Sequence, residues 1–134
     1  GTHVIALTCV SSSGLSDKDT VTITINPGPP AVRVLGIDVI GVPYKYGYRI
    51  VTATVTVVDS QNRPVSSARI IGQWSGDLVR TPRPEYTNAQ GQVTFKAGGL
   101  PPGSYTFSVS SVYKSGYIYR SDLNGETSDT LTFY

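Results

Sequence analysis

Apolar and polar residues alternate with a period of two along much of this chain. The clearest example is TVTITI at 20–25, where Val21, Ile23 and Ile25 share one face and threonines occupy the other. Such alternation is typical of a β-strand with one buried face, because successive side chains point to opposite sides. No segment sustains a helical period over three turns. We therefore predict an all-β chain, which suits apolar residues that are mainly Val, Ile and Tyr.

A proline-rich segment, Asn26-Pro27-Gly28-Pro29-Pro30, divides the chain. Neither a helix nor a central strand runs through such a segment, since proline lacks the backbone N–H that both require. We predict a stiff linker at 27–31, between a two-strand segment at 1–26 and a larger domain at 32–134. The larger domain is long enough to enclose a single hydrophobic core.

The larger domain is predicted to be an antiparallel β-sandwich of about seven strands. Its short apolar runs are separated by turns rich in Gly, Pro, Asn and Asp, a spacing typical of such sandwiches. The predicted strands are 32–40, 48–58, 67–74, 91–96, 104–113 and 129–134, with a weaker one at 117–120, after strands at 3–10 and 20–25. The predicted core consists of Val34, Ile50, Ala53, Val55, Val57, Ile70, Trp74, Val93, Phe95, Tyr105, Phe107, Val109 and Leu131.

Charge and cysteine content exclude several classes of protein. Charged residues make up 15% of the chain and are scattered, which excludes the dense basic stripe of a nucleic-acid binder. No apolar run approaches the roughly 18 residues of a membrane-spanning helix. Lone Cys9 cannot form an internal disulfide, and with the single His3 it cannot complete a zinc site. These two residues would lie roughly 20 Å apart on one strand, so we predict no catalytic pair and no enzyme activity.

Oxygen-bearing side chains alternate around Gly125. Asp122, Asn124 and Glu126 are spaced like part of a calcium-binding loop. The glutamate that such a loop needs at its twelfth position is replaced by Phe133. Because Asp, Asn and Gly also form turns, we predict a turn here and no cofactor, with a structural calcium ion as the alternative.

Tyrosines are concentrated in two short segments. Tyr44, Tyr46 and Tyr48 alternate, as do Tyr117 and Tyr119. On an extended backbone each set would lie on one face and form a strip. Exposed tyrosines stack on sugar rings, polymer surfaces or protein partners, so these five residues are the predicted ligand or partner surface. The alternative is that they cover the edges of the sandwich and form cross-strand pairs.

The first 25 residues, GTHVIALTCVSSSGLSDKDTVTITI, resemble the last two strands of a polycystic-kidney-disease (PKD) repeat, which is itself an immunoglobulin-like (Ig-like) sandwich. Cys9 stands where the repeat has an apolar strand residue, and Ser11 where it usually has Asp. The resemblance implies that 1–26 is the terminal part of a PKD-like domain.

Residues 51–134 resemble bacterial and archaeal Ig-like domains that follow catalytic domains in secreted enzymes. The resemblance rests on ATVTVVDSQNRPVSSARIIGQW, TNAQGQVTF, GSYTFSVSSVYKSGYIY and TSDTLTF. It implies a non-catalytic module of a larger secreted or cell-surface protein, located outside the cell and serving spacing, stabilisation or attachment beside neighbouring domains.

Two other functions stay open on sequence grounds. One is a carbohydrate-binding module that uses the exposed tyrosines on a polysaccharide. The other is a subunit of an extracellular assembly, in which residues 1–26 complete a sheet in a second chain and cause self-association.

Overall fold

The computed structural model describes residues 30–134, and before them the backbone of two strands, β1 (His3–Cys9) and β2 (Asp19–Ile25). β1 and β2 pair with each other in antiparallel register as a two-stranded sheet. The strands predicted at 3–10 and 20–25 are thus confirmed. Most of the predicted linker lies outside the described residues, and its last residue, Ala31, already belongs to the next strand.

Eight further strands form two four-stranded sheets. The sheet orders are β7-β4-β3-β9 and β10-β8-β5-β6. Within residues 30–134 the only helical segments are two single 3-10 turns, so the all-β prediction is confirmed. The strands are β3 (Ala31–Pro43), β4 (Arg49–Asp59), β5 (Arg69–Gly76), β6 (Glu85–Tyr86), β7 (Gln92–Leu100), β8 (Gly103–Tyr113), β9 (Ile118–Tyr119) and β10 (Ser128–Phe133).

Two short strands depart from the predicted antiparallel sandwich. β6, with only two residues, was not predicted. β9 pairs with β3 in parallel, Ala31 opposite Ile118 and Val32 opposite Tyr119, so this sheet is mixed. The parallel pairing arises because the turn after β8 reverses the chain and crosses to the other sheet, where it runs alongside β3 in the same direction.

Both sheets contribute side chains to one hydrophobic core. On β4 every second residue, from Val51 to Val57, is buried. The prediction of Ile50 as a core residue is wrong. The buried residues of this row have odd numbers, so the alternation puts the side chain of Ile50 on the other face of β4. Val93 and Leu131 are half-buried against the core. The other predicted core residues are buried: Val34, Ala53, Val55, Val57, Ile70, Trp74, Phe95, Tyr105, Phe107 and Val109.

A β-bulge interrupts β3 and changes which of its residues face the core. The register with β4 shifts between Val34 and Gly36. Val34 is buried before the shift, and Ile37 and Val39 are buried after it. A bulge adds one unpaired residue and therefore moves the inward face from even to odd positions.

The sandwich begins and finishes at opposite ends. β3 starts at Ala31, at the end where β4 and β8 finish. β10 runs in the same direction as β3. Asp129, near the start of β10, is hydrogen-bonded to Val39 in the second half of β3. Phe133, the last residue of β10, has its ring centroid 5.1 Å from the guanidinium of Arg49, which lies opposite the last residue of β3. We call these the N-terminal end and the C-terminal end of the sandwich.

Candidate functional site

The first predicted tyrosine set lies in the loop between β3 and β4, at the C-terminal end. The Tyr44 N–H donates to the Tyr48 carbonyl at 2.8 Å, and the Tyr48 N–H donates to the Lys45 carbonyl at 3.0 Å. Tyr46 has a left-handed backbone, with φ of 58°. The loop is therefore a closed turn, and the prediction that an extended backbone puts the three tyrosines on one face is wrong.

The three tyrosines of this loop have different surroundings. Tyr44 lies over Gly99 of β7, where an added Cβ would be 3.2 Å from its ring, and the Lys45 ammonium is 5.9 Å from the ring centroid. Tyr46 is 95% exposed and projects from the tip. The loop thus presents one projecting ring in place of a flat strip.

The second predicted set, Tyr117 and Tyr119, covers part of the core. Both side chains are half-buried and pack against the buried cluster. The hydroxyl of Tyr119 accepts a hydrogen bond of 2.7 Å from the side-chain amide of Asn124. These residues therefore match the alternative interpretation, in which tyrosines cover an edge of the sandwich.

The three candidate calcium ligands are each bonded to other protein groups. Asp122 accepts two hydrogen bonds from the Arg120 guanidinium, at 2.8 and 3.0 Å, and these lower the pKa of the carboxyl group. Asn124 and Glu126 accept hydrogen bonds from the backbone of β3. In the described part of the chain, no group of three or more His, Cys, Asp or Glu residues is placed to hold a metal ion.

Residues 124–129 close the outer edge of β3, and we call them the edge-closing segment. An edge strand exposes unpaired N–H groups, which recruit other chains unless they are covered. β9 covers only the first two residues of this edge, Ala31 and Val32, and beyond them side-chain oxygens cover the N–H groups in place of a strand. The three hydrogen bonds run from Val34 N–H to Asn124 Oδ1 at 2.8 Å, from Ile37 N–H to Glu126 Oε2 at 2.8 Å, and from Val39 N–H to Asp129 Oδ2 at 2.7 Å.

Arg80 closes the opposite side of the sandwich. Its backbone pairs with Trp74 of β5, through hydrogen bonds of 2.7 and 3.2 Å. Its guanidinium donates to the carbonyls of Lys96 and Ala97 on β7, at 3.3 and 3.0 Å. One residue thus links an edge of each sheet.

We expect Asp129→Ala to lower the free energy of unfolding by about 1–3 kcal/mol, because the buried Val39 N–H would lose its acceptor. Asp129→Asn keeps an acceptor oxygen and should cost less. Asp38→Ala, which removes an exposed carboxylate from the same strand β3, is the matched control. Urea unfolding followed by Trp74 fluorescence measures all three, and equal losses in Asp129→Ala and Asp38→Ala would contradict the edge-closing role.

Asp59 organises the turn that follows β4. Its Oδ1 accepts the N–H groups of Gln61 and Arg63, at 2.8 and 2.9 Å, and its Oδ2 accepts Arg63 Nε at 2.9 Å. Burial alone would raise the pKa of this carboxyl, but these bonds together with the charge of Arg63 hold the pKa below its usual value.

The lowered pKa of Asp59 predicts a contribution to stability that depends on pH. A carboxyl whose folded-state pKa is depressed stabilises the fold above its unfolded-state pKa, and that stabilisation is lost as pH falls through the folded value. We expect the difference in unfolding free energy between wild type and Asp59→Asn to be full at neutral pH and to shrink below about pH 4. Urea titrations at several pH values measure it, with Asp38→Asn as control. A difference that is constant with pH would contradict this.

A third aromatic group was missed by the sequence analysis. Arg69 of β5 lies directly opposite Tyr86 of β6 on one side and Tyr113 of β8 on the other. Both tyrosines are 62% exposed. Ile70, next to Arg69, is fully buried, so the alternation puts Arg69 on the outer face. We call these three residues the Tyr–Arg–Tyr row; it lies at the N-terminal end of the sandwich.

Comparison of the chain with protein-family models, curated proteins and solved structures finds no match. The resemblances to PKD and Ig-like domains therefore remain predictions. Among the elements described above, no helix has the length and hydropathy needed to cross a membrane. The side chains of His3 and Cys9 lie outside the described residues. That these two residues form neither a zinc site nor a catalytic pair therefore stays a prediction.

Proposed function

We propose that this chain is a non-catalytic spacer module of a larger secreted or cell-surface protein. The observation that carries the proposal is that β3 starts at one end of the sandwich and β10 finishes at the other. A polypeptide chain that extended beyond both β3 and β10 would therefore enter the sandwich at one end and leave it at the other. At about 3.3 Å per residue, the 13 residues of β3 correspond to a length of roughly 40 Å.

The closed sides of the sandwich also support a spacer function. The edge-closing segment covers β3 on one side, and Arg80 joins the two sheets on the other. A module with covered edges can be placed beside other domains without pairing to their strands. The resemblance of residues 51–134 to Ig-like domains of secreted enzymes is the reason for proposing an extracellular setting.

Small-angle X-ray scattering of one copy and of two copies joined end to end tests the spacer function. We expect the second copy to lengthen the particle by at least about the length of β3, roughly 40 Å. A matched tandem, in which residues 26–30 of the second copy are replaced by Gly and Ser, should be more compact because such linkers are flexible. Two copies that lie side by side, with little gain in length, would contradict the proposal.

Attachment through the β3–β4 loop is a second proposed function, favoured by the 95% exposure of Tyr46 at its tip. A polysaccharide or a protein surface is the proposed partner. Replacing Tyr44, Tyr46 and Tyr48 by Ala together should abolish retention on an insoluble polysaccharide. Unchanged retention would contradict attachment through this loop. A large fall in melting temperature would show that the three tyrosines stabilise the fold.

The two-stranded sheet β1–β2 gives one observation in favour of assembly. In the described structure each of these strands pairs only with the other, so both have an unpaired edge, and two-stranded sheets are marginal alone. Deleting residues 1–26 should leave the sandwich folded and remove self-association in analytical ultracentrifugation. A deletion that unfolds residues 31–134 would show that these strands belong to the sandwich.

A further inference from the structure

The Tyr–Arg–Tyr row forms one wall of a surface cavity of about 400 Å³. Directly opposite residues on paired strands have Cβ atoms about 4.5–5.5 Å apart on the same face, so the row spans roughly 10 Å. The cavity is completed by residues that precede β5 and follow β8. Its lining consists of Ser67, Arg69, Tyr86, Tyr113, Lys114 and Ser115.

Two cationic side chains, Arg69 and Lys114, line this cavity, and its lining contains no carboxylate. Within the described residues, neither Arg69 nor Lys114 forms an ion pair; the pairs found there are Arg63–Asp59 and Arg120–Asp122. Two cations that line one concavity attract an anion, and a guanidinium can hold a carboxylate through two parallel hydrogen bonds.

The other lining groups indicate what carries the anion. Tyrosine rings provide flat apolar faces with a polar tip, which suit stacking against a sugar ring. The hydroxyls of Ser67 and Ser115 can donate to and accept from sugar hydroxyls. A neutral sugar has no charged group to pair with the two cations. An acidic peptide has carboxylates for the cations but no sugar ring to stack on the tyrosines.

We propose that this cavity binds a hexuronate unit of an acidic polysaccharide. Arg69 and Lys114 hold the carboxylate, a ring of Tyr86 or Tyr113 lies against the pyranose, and the two serines bond its hydroxyls. This site is distinct from the β3–β4 loop, which is at the opposite end of the sandwich. It does not depend on the spacer function, and either proposal can fail without the other.

Isothermal titration calorimetry of the full chain with a hexamer of galacturonic acid tests the site, with cellohexaose as the neutral probe. We expect binding of the first and none of the second, weakening as salt is added. Arg69→Gln should reduce affinity about tenfold or more, since it removes a charge-assisted contact. Tyr113→Ala should reduce affinity at unchanged charge.

Two control variants separate this site from general attraction. Arg83→Gln removes the same charge from an exposed loop position, and Tyr134→Ala removes an exposed ring that follows β10 at the other end of the sandwich. Both should bind the hexuronate like wild type. Equal loss in Arg83→Gln and Arg69→Gln, equal binding of cellohexaose, or tighter binding of hexaglutamate than of the hexuronate would each overturn the proposal.

Discussion

Replacing Trp74 by Ala is expected to lower the free energy of unfolding by about 3–5 kcal/mol. The side chain is 1% exposed, and its ring meets the Phe107 ring edge-on at 4.9 Å. Phe107 in turn stacks on Phe95 at 4.8 Å, so the tryptophan belongs to an aromatic cluster that joins both sheets. Its loss would leave a cavity with aromatic walls. Urea unfolding followed by circular dichroism measures the change.

Trp74→Phe is the matched control for this experiment. Among the described residues, the indole N–H of Trp74 has no hydrogen-bond partner, so its removal costs no bond. Phe should therefore retain much of the stability that Ala loses. Trp74 is the single tryptophan, so the tryptophan emission of the protein reports on this residue alone. Because Trp74 is buried, the emission of native wild type should be blue-shifted. A red-shifted, readily quenched emission, or an Ala variant as stable as wild type, would contradict the burial.

Gly72→Ala is expected to destabilise the protein by about 1–3 kcal/mol or more through overpacking. A Cβ built on Gly72 would lie 2.4 Å from Phe107 Cζ and 2.8 Å from the carbonyl oxygen of Ser108. Neither group is the free end of a flexible side chain. The aromatic cluster or strand β8 would have to shift to make room, and chemical denaturation measures the cost.

Gly36→Ala is the control for this substitution. A Cβ at Gly36 would make only an ordinary contact, 3.7 Å from Glu126 Oε2. It should cost far less than Gly72→Ala. Adding Phe107→Leu to Gly72→Ala should recover part of the loss, because residues in contact are energetically coupled. A double variant whose losses simply add would show that Phe107 is not the obstacle.

The strands could be predicted from sequence because their signal is local. Alternation correctly predicted the six long strands of the sandwich, and ten of the thirteen predicted core residues are buried. It failed where geometry departs from simple alternation. The bulge at Gly36 reversed the inward face of β3, and Ile50 was assigned to the core although Val51 begins the buried row of β4. Among the described residues, the buried hydrophobic ones that were not predicted are Val32, Ile37, Val39, Val51, Val58, Val65, Ala68, Ala97, Val112 and Phe133.

The candidate sites were harder to predict because they depend on distant parts of the chain. The alternation of Tyr44, Tyr46 and Tyr48 predicts one shared face only if the backbone is extended, yet Tyr46 and Gly47 have a left-handed backbone within a turn. The alternation around Gly125 predicts a turn, with calcium as the alternative, and does not reveal that Asn124 and Glu126 accept hydrogen bonds from the backbone of β3.

The Tyr–Arg–Tyr row shows the same dependence on tertiary structure. Its outward arginine follows from the alternation around Ile70, which the sequence does display. Its two tyrosines come from other strands, and one of those strands is only two residues long. Register between strands, which no local pattern reveals, brings the three side chains together.

The side-chain bonds that close the edge of β3 also determine how the sandwich would respond to a mechanical pull. β3 is the first strand of the sandwich and β10 is the last, they run in the same direction, and their outer ends are at opposite ends. Tension applied at those two ends would slide one strand past the other. The bonds from β3 to Asn124, Glu126 and Asp129 would then be loaded in shear and would resist together, whereas a peeling force would open them one at a time. The rate of forced unfolding is set by the height of this barrier, which is a different quantity from the equilibrium free energy of unfolding.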